Sequence, residues 1–552
     1  MIIMDASRCI PPTKIESQPP VCSADPTKRS AHNAAMDAPQ QLLLGALLLL
    51  LLPAALLLRG GKRRRLPPGP PSLPLLGSVV WLTNSPADVE PLLRRLFDRH
   101  GPVVSLRMGS RLLIFVADRR LAHAALVERG AALADRPQMA SVRLMGENDN
   151  TITRASYGPT WRLLRRNLVS ETLHPSRVRI FSPARAWVRK VLLDKLAERG
   201  AAAPVVEAFQ YAMFCLLVLM CFGERLDEPA VRAIAAAQRE SLIYLSKNMP
   251  VFAFFPPVTK RLFRSRLEKA LALRRRTKEL FLPLIAARRE YKKKSRRGDE
   301  PRKETTFEHS YVDTLLDVKL PEDGNRPLTD DEMVVLCSEF LNAGTDTTST
   351  GLQWIMAELV KNPAIQDKLY AEIKSDDETE EEVSEEDVHK MPYLKAVILE
   401  GLRKHPPGHF VLPHKAADDM EIGGYLIPKG ATVNFMVAEI GRDDKEWDRP
   451  MEFRPERFLP GGDGEGVDVT GSKEVRMMPF GVGRRICAGI NIAMLHLEYF
   501  VANMVREFEW KEVPGHEVDF AEKSEFTTVM KNPLRAHLVR RRNKQQSAAS
   551  TH

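Results

Sequence analysis

Apolar residues recur every three or four positions through most of the chain after residue 88, which is the spacing of amphipathic helices. The clearest helical segments are residues 91–100, 177–199 and 262–291. Short apolar runs bounded by Gly and Pro predict strands at residues 103–108, 112–116, 421–427 and 432–437. The pattern contains no internal repeat. It therefore predicts one large, mainly α domain with small β-sheets.

One helical segment is unusually long and polar at its centre. It covers residues 329–362, opens with Thr-Asp-Asp, which is typical of a helix cap, and ends before Pro363. Its middle, AGTDTTS at residues 343–349, combines Gly344 with hydroxyl side chains, which are unfavourable inside helices. Two explanations are open: a kinked core helix with satisfied hydroxyl groups, or a local distortion that serves a function.

Near the N-terminus the pattern becomes an unbroken apolar run. Residues 42–58 carry no charge, and at about 1.5 Å per residue they form a helix of roughly 25 Å, close to the thickness of the endoplasmic reticulum bilayer. A cleaved signal peptide is the main alternative, but the run ends in basic residues rather than in a small-residue cleavage site. The positive-inside rule keeps that flank cytosolic. We predict an uncleaved, single-pass transmembrane anchor with a cytosolic domain behind it.

The segments around this anchor set the domain limits. Residues 1–41 are predicted to be a disordered N-terminal extension, because the first 35 are polar, rich in Pro and Ser, and aperiodic; Met36 is an alternative start. Residues 59–77 are basic and then rich in proline, which cannot continue a helix. They predict a semi-rigid hinge. The folded domain then covers residues 78–552.

Composition adds little to this picture. Hydrophobic residues make up 44% and charged residues 28% of the 552-residue chain, which is ordinary for a globular protein. The net charge of +10 is concentrated in runs at residues 59–65, 288–303 and 540–544. None of these runs is interleaved with the aromatic residues that stack on nucleic-acid bases, so no nucleic-acid partner is expected. The run at 288–303 and the acidic run at 375–387 are predicted to be surface loops.

Cysteine usage singles out one residue. No pair of the six cysteines has the spacing of a zinc site. Cys215 and Cys221 lie in an apolar run and are predicted to be small core residues, as is Cys337 in the long helix. Cys487 differs, because it lies in PFGVGRRICAG, residues 479–489, which places two arginines before it and three glycines around it.

A charged pair stands in a second apolar segment. Glu400 and Arg403 are three residues apart and share one helix face. Such a pair is usually exposed and contributes little, but the apolar residues before it indicate burial, and a buried pair needs further partners. Arg457 in FRPERF is a candidate partner.

Together these segments resemble the cytochrome P450 monooxygenases. PFGVGRRICAG matches the haem-binding signature of that family, AGTDTT its oxygen-activation motif, EGLR its Glu-Arg pair and PERF the arginine partner, all in family order. The resemblance covers residue 42 to the end of the chain. YGPTWRLLRRNLVSETLHPSR is most similar to the plant microsomal A-type group, in particular family 89, subfamily A. The resemblance implies the P450 fold behind an N-terminal transmembrane helix.

The resemblance also implies how haem b is held. Cys487 is the expected axial thiolate of the haem iron, with its pKa lowered by positive charge and N–H donors. Gly483 and Gly489 are expected to let the loop approach the haem plane, with Phe480 packed against it. The expected partners of the haem carboxylates are Arg485, Trp161, Arg165 and His414. A histidine in a surface turn is the alternative for His414.

On the opposite side of the haem, Asp346 and Thr347 resemble the acid and the alcohol that deliver protons to dioxygen. Gly344 is expected to open the helix beside the oxygen. With both proton-transfer residues present, the chain does not resemble relatives that only rearrange peroxides. A haem sensor without catalysis is the alternative class, but it has no need of Asp346 and Thr347. Glu400, Arg403 and Arg457 are expected to be structural.

The remaining expectations concern partners. GGDGEG, residues 461–466, lacks the strand and helix of a nucleotide site, so electrons are expected from a separate NADPH-cytochrome P450 reductase in the endoplasmic reticulum. A basic surface of Arg162, Arg166, Lys473 and Arg484 is expected to meet it.

The substrate is expected to be a lipophilic small molecule of plant secondary or catabolic metabolism. Its expected lining includes Phe340, Ala343, Phe410, Val411, Leu412, Phe526 and Val529. His409, in the same region, either orients a polar group or is a turn residue without a role. Residues 249–258 either dip into the bilayer or form a buried connection.

Overall fold

The computed structural model of the chain describes residues 66–70, 89–108, 111–200, 203–253, 256–295, 306–374 and 382–541. The predicted extension (1–41), the predicted anchor (42–58) and most of the predicted hinge (59–77) lie outside these ranges. Within the ranges that are described, no helix combines the length and the apolar character needed to cross a membrane.

Helices dominate the described residues. In chain order the α-helices are α1 (Val89–His100), α2 (Arg119–His123), α3 (Ala140–Leu144), α4 (Pro159–Asn167), α5 (Pro175–Ile180), α6 (Ser182–Ala197), α7 (Val206–Phe222), α8 (Glu228–Asn248), α9 (Pro256–Leu262), α10 (Arg264–Ser295), α11 (Tyr311–Leu315), α12 (Asp330–Lys361), α13 (Pro363–Ile373), α14 (Glu385–Val388), α15 (Pro392–Lys404), α16 (Val437–Gly441) and α17 (Ile490–Glu507). π-Helical turns follow α2 and α4, at Ala124–Glu128 and Leu168–Thr172. Short 3₁₀ turns lie at Pro250–Ala253, Pro455–Phe458 and Gly483–Arg485.

The strands are short. They are β1 (Val103–Met108), β2 (Arg111–Val116), β3 (Lys319–Leu320), β4 (Arg326–Pro327), β5 (His414–Lys415), β6 (Met420–Ile422), β7 (Tyr425–Ile427), β8 (Thr432–Phe435), β9 (Phe508–Lys511), β10 (Glu522–Ser524), β11 (Thr528–Met530) and β12 (His537–Arg540). The largest sheet has the order β1-β2-β8-β5, with β8 parallel to β2 and the other pairs antiparallel. The other sheets pair β10 with β11, β9 with β12, β3 with β4, and β6 with β7. The predicted class, mainly α with small sheets, is confirmed.

The long helix α12 begins and ends within one residue of its predicted limits. Thr329 forms a capping box with Glu332, and Asn362 follows the last turn. The helix is continuous through Gly344, where the sequence predicts an opened helix. A Cβ on Gly344 would lie 2.7 Å from a methyl carbon of Leu217. The glycine therefore permits close packing of α7 against α12.

These two helices form the centre of the core. Every residue of α7 from Ala212 to Phe222 is buried, including Cys215 and Cys221, and Cys337 on α12 is buried as well. The prediction that these three cysteines are core residues is confirmed. The core therefore forms a rigid support for the polar centre of α12.

Three local predictions are corrected. The helix predicted at residues 177–199 is divided at Phe181 into α5 and α6. The strand predicted at 421–427 is the hairpin of β6 and β7, with Gly423 and Gly424 at positive φ in its turn. The basic run is not a loop throughout, since α10 continues to Ser295, and Arg288 is buried against Asp313 at 2.5 Å.

The described part of the proline-rich segment is attached to the sheet. The backbone N–H of Ser105 on β1 donates to the carbonyl of Pro68 at 2.7 Å, and the Ser105 hydroxyl donates to that of Pro67 at 2.7 Å. Prolines suit this edge position because they lack the N–H that a longer strand would need. These residues are therefore docked on the domain.

Candidate active site

The loop before α17 is folded tightly around Cys487. The backbone N–H of Cys487 donates to the carbonyl of Phe480 at 2.9 Å, which closes the loop. The N–H of Gly489 points to the Cys487 sulfur at 3.3 Å. Cys487 is exposed, unlike the three core cysteines, and Phe480 is half-buried. The loop thus presents an accessible sulfur that accepts a backbone hydrogen bond.

Gly483 has a reason for being glycine that the motif alone does not reveal. Its φ is +74°, and a Cβ there would lie 1.9 Å from the carbonyl oxygen of Leu126. Leu126 belongs to the π-helical turn after α2. Gly483 therefore allows the Cys487 loop to pack directly on that turn, whereas a Cβ on Gly489 would meet only ordinary contacts.

The electrostatic setting of the thiol differs from the expectation. Although solvent reaches the sulfur, the protein packed around it disfavours the charged thiolate and raises the pKa of Cys487, and the Gly489 N–H and the Arg165 guanidinium only partly oppose this effect. The surrounding protein alone therefore favours the thiol over the thiolate. A bound metal cation deprotonates a coordinating thiol, so ionisation of Cys487 is expected to accompany binding of haem iron.

Arg485 is held by three backbone carbonyls. Its Nε donates to Ala134 at 2.7 Å, and its two Nη atoms donate to Ile152 at 3.1 Å and Ala155 at 2.6 Å. These bonds use three of its five N–H groups. Its guanidinium carbon lies 4.3 Å from the centre of the Trp161 ring. Arg485 is thus a fixed, half-buried cation whose remaining donors suit an anion.

A second buried arginine, Arg136, belongs to the same cluster and is absent from the sequence prediction. Its Nε donates to Thr153 at 3.1 Å, and its Nη1 donates to Leu412 and Pro413 at 2.8 Å each. Burial and repulsion by Arg485 lower the pKa of Arg136 to about 9. The only signal in the sequence is an arginine between Asp135 and Pro137, at the end of an apolar stretch.

The cation cluster supplies a test of whether haem fits. Burial lowers the pKa of Arg165 and also that of Arg485, the latter to about 10. Among the described residues, no carboxylate forms an ion pair with Arg136, Arg165 or Arg485; the nearby Asp135 is paired with Lys415 and acts on Arg136 and Arg485 only through its charge. Buried and half-buried cations without a direct counter-charge are unfavourable. The two carboxylates of haem satisfy this requirement, and the Cys487 sulfur supplies the expected ligand chemistry.

Two other predicted carboxylate partners have protein partners of their own. The Trp161 Nε1 donates to the carbonyl of Ile152 at 3.1 Å, and an indole has no second N–H. His414 is buried on β5, so the surface-turn alternative is wrong for it. Its Nδ1 lies 2.6 Å from the Leu133 carbonyl, and burial together with Arg136 lowers its pKa to about 3. Both rings therefore stabilise the cluster mainly by packing and by bonds to the backbone.

The polar centre of α12 divides between two faces. Ala343 is exposed and Thr347 is half-buried on a helix whose other central residues are mostly buried. The Thr347 hydroxyl donates to the Ala343 carbonyl at 2.6 Å. A hydroxyl that back-bonds in this way can exchange that bond for another acceptor. Thr347 is therefore available on an accessible face of the helix.

Asp346 is bound on the other side of the helix. Its Oδ1 accepts a hydrogen bond at 2.8 Å from Arg239 on α8, and Arg239 also pairs with Glu525 at 2.8 Å. Burial raises the pKa of Asp346, while Arg239 opposes the shift. The Arg239 side chain is 34% exposed. Arg239 and Glu525 therefore connect the buried Asp346 to solvent, although the three residues are far apart in the sequence.

The predicted structural residues meet in one buried cluster. Glu400 accepts from Arg403 Nε at 2.6 Å and from Arg457 Nε at 3.1 Å, and all three side chains have 0% exposure. The backbone N–H of Arg454 also donates to Glu400 at 3.0 Å. Arg457 pairs in addition with Asp463 at 2.8 Å. The cluster ties α15 to the 3₁₀ turn at Pro455–Phe458.

His409 has a role that the sequence does not reveal. It is buried, with Nδ1 2.9 Å from Glu90 on α1 and Nε2 3.4 Å from Glu522 on β10. Burial disfavours its charged form, but the two carboxylates outweigh this effect and raise its pKa. Arg94 and Arg442 neutralise the same carboxylates. The group is therefore an ionic link between α1, the segment after α15 and β10.

The predicted substrate lining is only partly exposed. Leu412 and Phe526 expose 49% and 41% of their surface. Phe410 packs edge-on against Phe115, and Phe340 stacks on Tyr311 at 5.0 Å. Leu412 and Phe526 are therefore the clearest apolar candidates for contact with a ligand.

The predicted basic surface is built on α4. Arg162 and Arg484 lie on the Tyr157 ring, at 5.1 Å and 5.4 Å from its centre. Arg162 and Arg166 line a cleft of about 350 Å³ together with Lys319. Lys473 is exposed. The structure thus brings several cations to the surface beside the Cys487 loop.

Comparisons with known proteins identify the family and the fold. A sequence profile of the family described as "Cytochrome P450" matches residues 67–539. Cytochrome P450 89A9 of Arabidopsis thaliana is 47% identical over 494 residues, covering 86% of this chain and 94% of that protein. Flavonoid 3'-monooxygenase of the same plant is 31% identical over 459 residues, covering 82% of this chain and 86% of that protein. A solved cyanobacterial P450 bound to retinoic acid has a TM-score of 0.69 at 21% identity, covering 87% of this chain and 100% of that chain, a likeness of fold alone.

Proposed function

The chain belongs to the cytochrome P450 family, and on that basis we propose that it is a membrane-anchored monooxygenase that receives electrons from an NADPH-dependent reductase. Its enzyme class is oxidoreductase and its cofactor is haem, as in the family. The predicted similarity to plant subfamily 89A is confirmed. The finer proposal concerns the electron donor, the membrane anchor and a lipophilic substrate.

One observation carries the proposal. An accessible Cys487 sulfur beside buried cations and an acid–alcohol pair at the centre of α12 occur in the same domain. When bound, haem supplies the redox chemistry that activates dioxygen and inserts one oxygen atom into the substrate. A protein that only binds haem needs the Cys487 sulfur and the cations beside it, but it does not need Asp346 and Thr347.

The residues near Cys487 are proposed to hold the cofactor. Cys487 would ligate the iron, and the Gly489 N–H would stabilise the thiolate once it forms. Arg136 and Arg485 would meet the haem carboxylates with the N–H groups that the backbone leaves free. Arg165 would add positive charge next to the sulfur.

The residues of α12 are proposed to move protons. Asp346 is buried and has a raised pKa, so it can gain and release a proton near neutral pH more readily than an exposed aspartate. Arg239 and Glu525 connect it to solvent. Thr347 would donate the proton at its Oγ1 on the accessible face of the helix. Rotation of the Asp346 side chain away from Arg239 is the proposed step that brings its carboxyl proton to the Thr347 hydroxyl.

The reductase is proposed to dock on the basic surface of α4. Exchange of both Arg162 and Arg166 for glutamate is expected to slow electron transfer from the reductase about 10-fold or more at low salt, because a cationic surface steers an acidic partner. The measurement is stopped-flow reduction of the haem under carbon monoxide with NADPH and reductase.

A control double variant separates the loss of the docking surface from the effect of a changed net charge. Arg95 and Arg99 on α1 have the same spacing and are exposed, so Arg95→Glu with Arg99→Glu makes the same change of net charge elsewhere. Its reduction rate should stay within twofold of wild type. Equal rates for the two double variants would remove the proposed docking surface.

The location is proposed to be the endoplasmic reticulum membrane, with residues 42–58 as the anchor and the domain in the cytosol. One feature of the described residues supports contact with lipid. Val258 and Leu262 on α9 expose 53% and 71% of their surface. Val251 and Phe252 before them are buried, so that part of the segment is a packed connection and the lipid contact is proposed for α9 alone. A lipophilic substrate could then enter from the bilayer.

Reconstitution tests the proposal directly. Purified full-length protein, reductase and lipid are mixed, and plant lipophilic compounds are screened for a shift of the Soret band. A binding compound should yield a product that contains one atom of ¹⁸O₂ and whose formation requires NADPH. Product formation from peroxide alone, without any from NADPH and reductase, would contradict the proposed electron donor.

A further inference from the structure

Glu339 lies on α12 two turns before Thr347, and the spacing of four residues puts Glu339, Ala343 and Thr347 on one helix face. Its carboxylate reaches the segment before α4. Oε2 accepts from the backbone N–H of Ile152 at 3.0 Å, and Oε1 accepts from that of Thr153 at 2.7 Å. The Thr153 hydroxyl donates to Oε1 as well. Neither the haem-binding motif nor the oxygen-activation motif includes Glu339.

The peptide group that joins Ile152 to Thr153 is bonded at both ends. Its N–H donates to Glu339, while its carbonyl accepts from Arg485 Nη1 and from Trp161 Nε1, each at 3.1 Å. Hydrogen bonds in series polarise one another, most strongly between opposite charges. Glu339 is therefore linked to the Arg485 cation through one peptide group.

The same short segment orients the second arginine. The carbonyl of Thr153 accepts from Arg136 Nε at 3.1 Å, and that of Ala155 accepts from Arg485 Nη2 at 2.6 Å. Glu339 directly orients the Ile152 carbonyl, and a backbone bond from the Ala155 N–H to the Thr151 carbonyl at 3.0 Å closes residues 151–155 into one turn that carries the other two carbonyls. The orientation of both guanidinium groups thus depends on one carboxylate of α12.

We propose that Glu339 is a positioning residue, which ties the arginines that hold the haem carboxylates to the helix that carries Asp346 and Thr347. The proposal rests on the proposed function, since it assumes that haem occupies this site. It predicts that Glu339 controls how firmly haem is held and how easily its iron is reduced.

Glu332 offers a matched control on the same helix. It also attaches the segment before α4 to α12, through the side chains of Asn148 at 2.7 Å and Asn150 at 3.1 Å. Its remaining partners are Arg326 and the cap residue Thr329. None of these bonds leads through a peptide group to Arg136 or Arg485. A general loosening of the segment before α4 should therefore affect the variants of both glutamates. Loss of arginine positioning should affect only the variant of Glu339.

The experiment compares full-length wild type with Glu339→Gln and Glu332→Gln. Transfer of haem to an excess of apomyoglobin is expected to be about 10-fold faster for Glu339→Gln, because a charge-assisted hydrogen bond is lost. The reduction potential of its haem should rise, because a negative charge is removed. Glu332→Gln should stay within twofold of wild type with an unchanged potential. Similar behaviour of the two variants would overturn the proposal.

Two further variants keep the test decisive if Glu339→Gln is poorly folded. Glu339→Asp keeps the charge but is too short for both N–H groups, so faster haem loss with an unchanged potential is expected. Arg485→Lys combined with Glu339→Gln should cost less than the sum of the two single changes, because they interrupt the same link. Additive effects would overturn the link. A wild type without a thiolate–haem spectrum would instead remove the proposed function itself.

Discussion

Asp346→Asn is expected to lower product formation by about 10²- to 10⁴-fold, the range that proton transfer by a positioned side chain contributes. Asparagine keeps the size of the side chain and an oxygen that accepts from Arg239, so the bond at 2.8 Å can persist. It removes the proton that the carboxyl group exchanges. NADPH consumption should fall less than product formation, since the surface proposed for the reductase is unchanged.

The measurement is the ratio of product formed to NADPH consumed, with a substrate found by Soret shift. Asp330→Asn is the matched control, because Asp330 begins the same helix and its side chain is 54% exposed in a pair with Arg289. It should change the ratio by less than twofold. If Asp346→Asn retained a third or more of wild-type product formation, the proposed proton route would be wrong.

Glu400→Gln is expected to destabilise the fold by about 3–5 kcal/mol, because removal of one partner leaves buried arginine charges uncompensated. Glu400 is the shared acceptor of Arg403 and Arg457, and all three side chains have 0% exposure. A loss of this size is a large part of the stability of an ordinary domain, which is about 5–15 kcal/mol. We therefore expect little folded protein and rapid thermal loss of helical circular dichroism.

Glu452→Gln is a suitable comparison for that experiment. Glu452 lies near the same segment, with 48% of its side chain exposed in a pair with Arg449. Its replacement should change the free energy of unfolding by less than about 0.5 kcal/mol. A Glu400→Gln protein that folds and melts like the Glu452→Gln protein would show that the buried cluster does not stabilise the fold.

Local sequence signals predicted those parts of the fold that depend on neighbouring residues. Thr-Asp-Asp at residues 329–331 predicted the start of α12, and the structure adds Glu332, which completes a capping box with Thr329. The strand β1 is found at its predicted limits, residues 103–108. The break at Phe181 was missed, because apolar spacing continues on both sides of it. The spacing of apolar residues indicates which face of a helix is buried, but it does not reveal where the helix axis changes direction.

The residues missed at the site have partners that are distant in sequence. His409 binds Glu90, which is 319 residues away, and Arg239 binds Asp346, which is 107 residues away. Such pairs leave no trace in local spacing. The motif around Cys487 predicted that Gly483 lets the loop approach the haem plane, but the carbonyl that a Cβ there would meet belongs to Leu126, in another segment. The sign of the Cys487 pKa shift was also missed, since the extent of burial depends on the whole fold.

The central claim is that Cys487 binds haem iron as a thiolate, and the difference spectrum of the reduced, carbon monoxide-bound protein tests it most directly. Wild type should show the strongly red-shifted Soret band of thiolate ligation, and Cys487→Ser should lack it. Haem bound by the wild type without such a band, or a band that survives in Cys487→Ser, would contradict the account.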